Sequence, residues 1–226
     1  MSVTFKKSNM KIDFVSDIAC PWCAVGLNAL EIALKRIGDD FPVTLHMQPF
    51  ELNPDMAKEG VDASEYLASK YGLSAAQLAA NRANIRARGE AVGFIFGERS
   101  RAWNTFDAHR LLHWAGLQDI AKQRALKHAL LRSYHGEGRN PSSKDVLLEL
   151  AQEVGLDVAT GRSILESDTY THEVREAEQF WIRNGINSVP AVIINDQHLI
   201  SGGQPPDVFE QALRQIATNA QHAAKS

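Results

Sequence analysis

The sequence predicts an α/β fold. A β-α-β unit near the N-terminus and an α-β-β-α unit near the C-terminus are separated by a large all-helical insertion. Three observations carry that expectation. The only two cysteines among 226 residues lie in Cys20-Pro21-Trp22-Cys23, where an apolar run gives way to a helical pattern. Strand-like runs occur near residues 11–15 and 43–47 and return only at 191–201. Between them, from about 63 to 178, the chain is rich in Ala, Leu, Arg, Glu and Gln, with one doubtful strand-like run, Phe94-Ile95-Phe96.

Residues 11–15 read as a buried strand and 22–36 as a helix, with apolar positions at Leu27, Leu30, Ala33 and Leu34. Gly38 to Asp40 breaks the helix, and Val43-Thr44-Leu45-His46-Met47 alternates as a second strand. Parallel strands joined through a helix form a βαβ unit with a right-handed crossover. Residues 48–54 form a loop punctuated by Pro49 and Pro54. In the insertion Ser64 is a candidate helix start, and Ser74-Ala75-Ala76-Gln77 has capping-box spacing. Asn104-Thr105-Phe106-Asp107 is a candidate cap for a helix through Leu111, Leu112 and Trp114. Further helices are expected over 119–133, 143–154 (ended by Gly155), 160–167 and 169–184. Strands at 191–194 and 198–201 flank Asn195-Asp196, residue types that suit a tight hairpin turn. A last helix is expected from Pro206 to about Thr218, and the tail from Asn219 to Ser226 is expected to fray. That order is a thioredoxin fold with an insertion. Residues 11–54 and 169–218 are expected to form the thioredoxin-like domain and 55–168 the helical insertion domain.

A C-x-x-C pair at a strand-to-helix junction reads as a redox motif. The first cysteine lies where unpaired backbone N–H groups and the helix dipole favour negative charge, which lowers the thiol pKa. The second lies one turn on, within reach for a disulfide. Zinc needs more ligands than this pair supplies, and no second C-x-x-C exists. Inert core cysteines are the other reading. Pro21 argues against it, because proline suits the first turn of a helix. Val189-Pro190 stands directly before the third strand, a position that tolerates a missing N–H.

Composition narrows the function. Hydrophobic content of 44%, charged content of 23% and a net charge of −3 suit a globular chain and give no electrostatic case for nucleic acid. No apolar segment reaches the length of a membrane span, and the polar first residues lack a secretory pattern, so a cytoplasmic chain is expected. In a reducing compartment a C-x-x-C is catalytic more often than structural. Arg82, Arg86, Arg88, Arg99 and Arg101 are locally dense, with Glu90 and Glu98 among them. A solvated helical face is the plain reading, and a site for an acidic peptide or glutathione carboxylates the sharper one. His109 and His113 are four apart on an expected helix but lack the Glu of H-E-x-x-H, so packing is favoured over a metal. Trp103, Trp114 and Trp181 read as core, and Gly202-Gly203 as a turn beside the reactive face.

Five stretches together resemble a known family. They are Asp13-Phe14-Val15-Ser16-Asp17 leading into Cys20-Pro21-Trp22-Cys23, Pro49-Phe50-Glu51-Leu52-Asn53-Pro54, Asn104-Thr105-Phe106-Asp107-Ala108-His109-Arg110, Ser188-Val189-Pro190-Ala191, and Ile200-Ser201-Gly202-Gly203-Gln204. Over nearly its whole length the chain resembles DsbA-like thioredoxin-superfamily oxidoreductases of the FrnE type. The resemblance implies dithiol–disulfide exchange, with Cys20 as the exposed nucleophile and Cys23 as the resolving thiol. It implies a cis bond before Pro190, with Pro190 packed beside the motif and the Val189 backbone open to a substrate peptide. Phe50, Asn53, Phe106 and His109 are candidate groove residues. No metal and no cofactor beyond the redox-active disulfide is implied, and glutathione is a candidate co-substrate. Trp22 stands where periplasmic DsbA proteins carry histidine, which removes a polar ring able to stabilise the thiolate. Thioredoxins place a buried acid six positions before the first cysteine, and here that position is Phe14. Asp13 and Asp17 are the candidate proton acceptors for Cys23, with structural capping an equal role for Asp17. The rival function is a glutathione-dependent isomerase or kappa-class-like glutathione transferase, as in 2-hydroxychromene-2-carboxylate isomerases. Those usually carry serine at the first motif position. Expected partners are disulfide-containing proteins or peptides, or glutathione, with a monomer and a homodimer both open.

Overall fold

The computed structural model describes residues 9–223. Strand β1 (Met10–Ser16) leads into helix α1 (Pro21–Ile37), and β2 (Val43–Pro49) returns parallel to β1, with Phe14 opposite Met47. Near the C-terminus come α8 (Thr171–Arg183), β5 (Ala191–Ile194), β6 (His198–Ser201) and α9 (Pro206–Ala223). The sheet order is β2-β1-β5-β6, with β5 antiparallel to both β1 and β6. Asn195 and Asp196, both at positive φ, turn the β5–β6 hairpin. The helix expected to end near Thr218 runs on to Ala223, and residues 224–226 lie outside the described residues.

Alternation along β1 assigns its two faces. Ile12 and Phe14 join the core against α1 and α9, whose Leu27, Leu30, Phe209 and Leu213 are fully buried. Val15 turns the other way, to Trp181 of α8, with Ala191 and Ile193. Each such side chain contributes about 1.5–3 kcal/mol by leaving water.

Between β2 and α8 the chain adds β3 (Val61–Asp62), α2 (Ala63–Tyr71), α3 (Ala75–Glu90), β4 (Arg101–Ala102), α4 (Phe106–Gln118), α5 (Ile120–Leu131), α6 (Lys144–Glu153) and α7 (Val158–Leu165). The region is therefore not wholly helical, since β3 and β4 form a two-residue antiparallel ribbon. The capping box at Ser74 and Gln77 forms as expected. Asp62 rather than Ser64 caps α2, accepting from the N–H groups of Ser64 and Glu65. Phe94-Ile95-Phe96 is not a strand. Phe94 is buried in the main core and its ring meets that of Phe96 at 4.7 Å, so the apolar pattern reflects an anchored loop. A π-turn follows α5 at Arg132–Gly136, a geometry frequent near functional sites.

The insertion and the sheet share a core. Ile18, two residues before Cys20, is fully buried among Leu111, Leu112, Leu126, Leu130 and Tyr134 of the insertion. Leu131 at the end of α5 joins the opposite cluster under α1. Helix α5 is thus enclosed on two sides, which brings the insertion directly behind the cysteine motif.

Candidate active site

Cys20 is the N-cap residue of α1, and Pro21 occupies the first turn, where its missing N–H is no loss. The Cys20 thiol donates to the Val189 carbonyl at 3.4 Å, and the Val189–Pro190 bond is cis. Both cysteines are free thiols. Cys23 is fully buried, and its N–H donates to the Cys20 carbonyl at 3.1 Å. Cys20 itself is only 4% exposed, a narrower opening than an exposed nucleophile implies. The close packing has a backbone cause. A methyl on Gly26 would lie 3.0 Å from Pro190 Cγ and 3.3 Å from Gly203 Cα, so this glycine lets both segments close on α1. Gly203 in turn lies against the Trp22 backbone and ring.

The two thiols differ electrostatically. A hydrogen bond from the Cys23 thiol, then the N–H groups of Cys23 and Trp22, hold the Cys20 thiol below its ordinary value despite burial and the Asp17 charge. Burial pushes the Cys23 thiol well up, reinforced by the hydrogen bond and charge of Cys20, while the Lys127 ammonium pulls it down. The pair therefore consists of one thiol ready to ionise and one that keeps its proton.

Behind the motif lies a buried polar layer. Asp17 accepts from the N–H groups of Ala19 (3.0 Å) and Leu52 (2.7 Å) and from the Thr105 hydroxyl (2.8 Å). His109 Nε2 stands 3.4 Å from the same carboxylate. Burial raises the Asp17 pKa, but the bond to His109, its charge and the two backbone donors outweigh burial and keep the carboxylate ionised. Asp17 is thus an anchor for the loops around the motif and a poor proton acceptor. Asp13 points to the opposite sheet face from α1, where Gln48 and Lys11 hold its carboxylate at 2.6 and 3.0 Å. His135, on the π-turn, donates to the Ile18 carbonyl at 2.8 Å and is held neutral by burial and the Arg99 charge.

Lys127 completes this layer from α5. It is 1% exposed, and burial brings its ammonium down to about 8, against the pull of Cys23, Asp17 and Cys20. It lines a cavity of about 280 Å³ shared with His46, His113, Gln123 and Leu117. A lysine titrating near neutrality, in the field of a protonated thiol and beside a cavity, can take up and pass on a proton.

A description of the DSBA-like thioredoxin domain matches residues 11–214. The chain belongs to the DSBA-like thioredoxin domain family. The uncharacterized protein YwbO of Bacillus subtilis (strain 168) is 31% identical over 205 residues, covering 89% of this chain and 94% of that one. The crystal structure of a probable DsbA oxidoreductase, SCO1869 from Streptomyces coelicolor, superposes with a TM-score of 0.86 at 35% identity, over 93% of this chain and 90% of the other. A 2-hydroxychromene-2-carboxylate isomerase superposes with a TM-score of 0.69 at 17% identity, over 96% and 99% of the two chains, a likeness of fold.

The remaining candidates in this DSBA-like chain fall in different places. Phe50 is buried with Val15, Trp181 and Ala191, in the cluster against which Val189 packs. Asn53 Oδ1 accepts from Tyr66 and Lys70, both at 2.5 Å. Phe106 lies under the Arg175 guanidinium at 3.7 Å. His109 is 2% exposed and turned to Asp17, so it supports the motif from behind, and it lines the same cavity as Lys127. His113 packs against the Tyr170 ring at 5.1 Å. Glu51 and Glu178 share Arg175, and burial followed by the Glu178 charge pushes the Glu51 carboxyl up to about 8, so it keeps its proton at neutral pH. Lys127 and His135 were missed by the sequence reading. The one available signal for Lys127 was its place among Leu126, Ala129 and Leu130 on a helix apolar on more than one side.

Proposed function

We propose that this chain is a thiol–disulfide oxidoreductase or isomerase that exchanges a Cys20–Cys23 dithiol/disulfide with protein or small-molecule disulfides. The observation that carries the reading is the asymmetric pair: a Cys20 thiol of lowered pKa at the start of α1 and a buried, proton-holding Cys23 one turn on. In this reading the Cys20 thiolate attacks a substrate disulfide, forming a mixed disulfide and releasing one substrate thiol. Cys23 then loses its proton beside the Lys127 ammonium, whose charge favours the thiolate, and attacks the Cys20 sulfur. The second substrate thiol leaves and the Cys20–Cys23 disulfide remains. The Val189 backbone beside Cys20 is the expected docking edge for an extended substrate, with Pro190, Pro21 and Trp22 framing the approach.

Residues 11–54 and 169–218 act here as the reactive domain, and 55–168 as an insertion that supplies Lys127 and His135. The FrnE subgroup and a cytoplasmic location are part of the same reading. Subcellular fractionation tests the location. A glutathione-dependent isomerase is the second reading, supported by the shared fold with 2-hydroxychromene-2-carboxylate isomerase. A cysteine at both motif positions favours intrinsic dithiol chemistry over a thiol borrowed from glutathione.

Equilibration against glutathione redox buffers, read by tryptophan fluorescence and thiol trapping, tests the proposal. One reversible two-electron transition is expected. A midpoint near the cytosolic poise, roughly −220 to −320 mV, points to reductase or isomerase work, and one near −120 mV to an oxidant. A persistent glutathione adduct with no transition contradicts the proposal and favours the isomerase.

A further inference from the structure

Five arginines crowd residues 82–101, and the fold sorts them. Arg86 pairs with Glu98. Arg82 donates to Ser64 Oγ at 2.7 Å, and Arg101 to the carbonyls of Glu59 and Gly60 at 2.7 and 2.9 Å. Arg88, near the end of α3, donates to the Gly203 carbonyl at 2.9 Å and lies over the Trp22 ring at 5.8 Å. Arg99 donates to the Ala19 carbonyl at 3.4 Å and lies over the Tyr134 ring at 4.8 Å. One guanidinium therefore flanks a residue between the two cysteines. The other flanks the residue immediately before Cys20.

Both arginines are half-buried, and neither has a carboxylate at ion-pairing distance among the described residues. Asp17, the acid that most influences Cys20, is fully buried and already satisfied by its own donors. Of five N–H donors each, Arg88 uses one on the Gly203 carbonyl, and Arg99 bonds the Ala19 carbonyl and the Tyr134 hydroxyl. Two cations fixed by aromatic rings and backbone carbonyls, against residues that flank Cys20 in the chain, can form a recognition surface for anions.

Resting on the exchange reading above, we propose that Arg88 and Arg99 form an anion-accepting rim around Cys20 that selects disulfides carrying carboxylates beside the sulfur. Oxidised glutathione, with carboxylates on both halves, is the simplest disulfide of this class. The Cys20 thiolate attacks one glutathione sulfur, forming a Cys20–glutathione disulfide and releasing the first glutathione thiolate. The Cys23 thiolate then attacks Cys20 and releases the second. The two cysteine protons end on the two glutathiones, so the protein dithiol is oxidised as one disulfide is reduced to two thiols.

The test is the bimolecular rate of reduced protein with three small disulfides of different charge: oxidised glutathione, neutral bis(2-hydroxyethyl) disulfide and cationic cystamine. In Arg88→Gln/Arg99→Gln the glutathione rate is expected to fall roughly tenfold, the neutral rate to change less than about twofold, and the cystamine rate to rise. Arg88→Lys/Arg99→Lys keeps the charge and is expected to keep the preference. A disulfide peptide with flanking glutamates, run beside glutathione, separates the two sources of this chemistry by which rate falls further. An equal change across the charge series overturns the proposal and leaves the arginines a structural role. Failure of the unaltered protein to react even with the neutral disulfide overturns the exchange reading itself, and this proposal with it.

Discussion

Cys20→Ser abolishes disulfide exchange, with an expected loss of roughly 10³-fold or more, whereas Cys23→Ser keeps the first attack and stops at a mixed disulfide. The asymmetry follows from the site. Cys20 holds the position at the helix N-terminus and the lowered pKa, so its removal leaves only a buried thiol that keeps its proton. Serine at 23 leaves Cys20 in place with no second sulfur to release the substrate. Mass spectrometry of each variant after reaction with a disulfide substrate checks this. The expected products are a covalent adduct on Cys20 in Cys23→Ser and no adduct in Cys20→Ser. Adducts of equal yield in both variants contradict the assignment. Full function in Cys20→Ser favours a peptide-binding role for the fold.

Lys127→Met is expected to make the protein more stable and less active. The native pKa of about 8 lies below the value near 10.4 of an unfolded lysine. Below pH 8 both states carry the proton, and the native state bears the full penalty of burying it. Between about 8 and 10.4 the native state binds fewer protons than the unfolded state, so stability rises with pH across that window. The cost at pH 7 is about 3 kcal/mol, and methionine, of similar shape, removes it. Denaturant unfolding should therefore show a gain of that order at pH 7, shrinking toward pH 10. Mixed-disulfide resolution moves the other way. Without the Lys127 charge that lowers the Cys23 thiol, resolution at pH 7 is expected to slow by about 10²-fold, and its pH profile to rise only at the higher pKa of the buried thiol. An unchanged pH profile would show that Lys127 is a structural residue.

The elements that carry the reaction were legible because their signals are local. Cys20-Pro21-Trp22-Cys23 announces itself in four residues, and the Asn195-Asp196 hairpin and the Ser74 capping box are equally short-range. The polar layer behind the motif was not. Thr105 reaches Asp17 across 88 positions, His109 across 92, and His135 reaches Ile18 across 117. The apolar neighbours Leu126, Ala129 and Leu130 are the one local hint that Lys127 lies inside, and a surface lysine on an amphipathic helix can have similar neighbours. Lys127 lies inside because α5 is wedged between two cores, a property of the assembled fold. Phe94-Ile95-Phe96 misled for the same reason, since an apolar triplet records burial without saying whether a strand or a loop is buried.

The central claim is that Cys20 is the ionising thiol and Cys23 its protonated partner. The rate of alkylation of the fully reduced protein as a function of pH, with each cysteine resolved by mass spectrometry, tests it most directly. Cys20 is predicted to react first, along a titration curve below the ordinary thiol value of about 8.5, with Cys23 unreactive until the protein unfolds. Reaction of both cysteines together at or above that value, or of Cys23 first, would contradict the account.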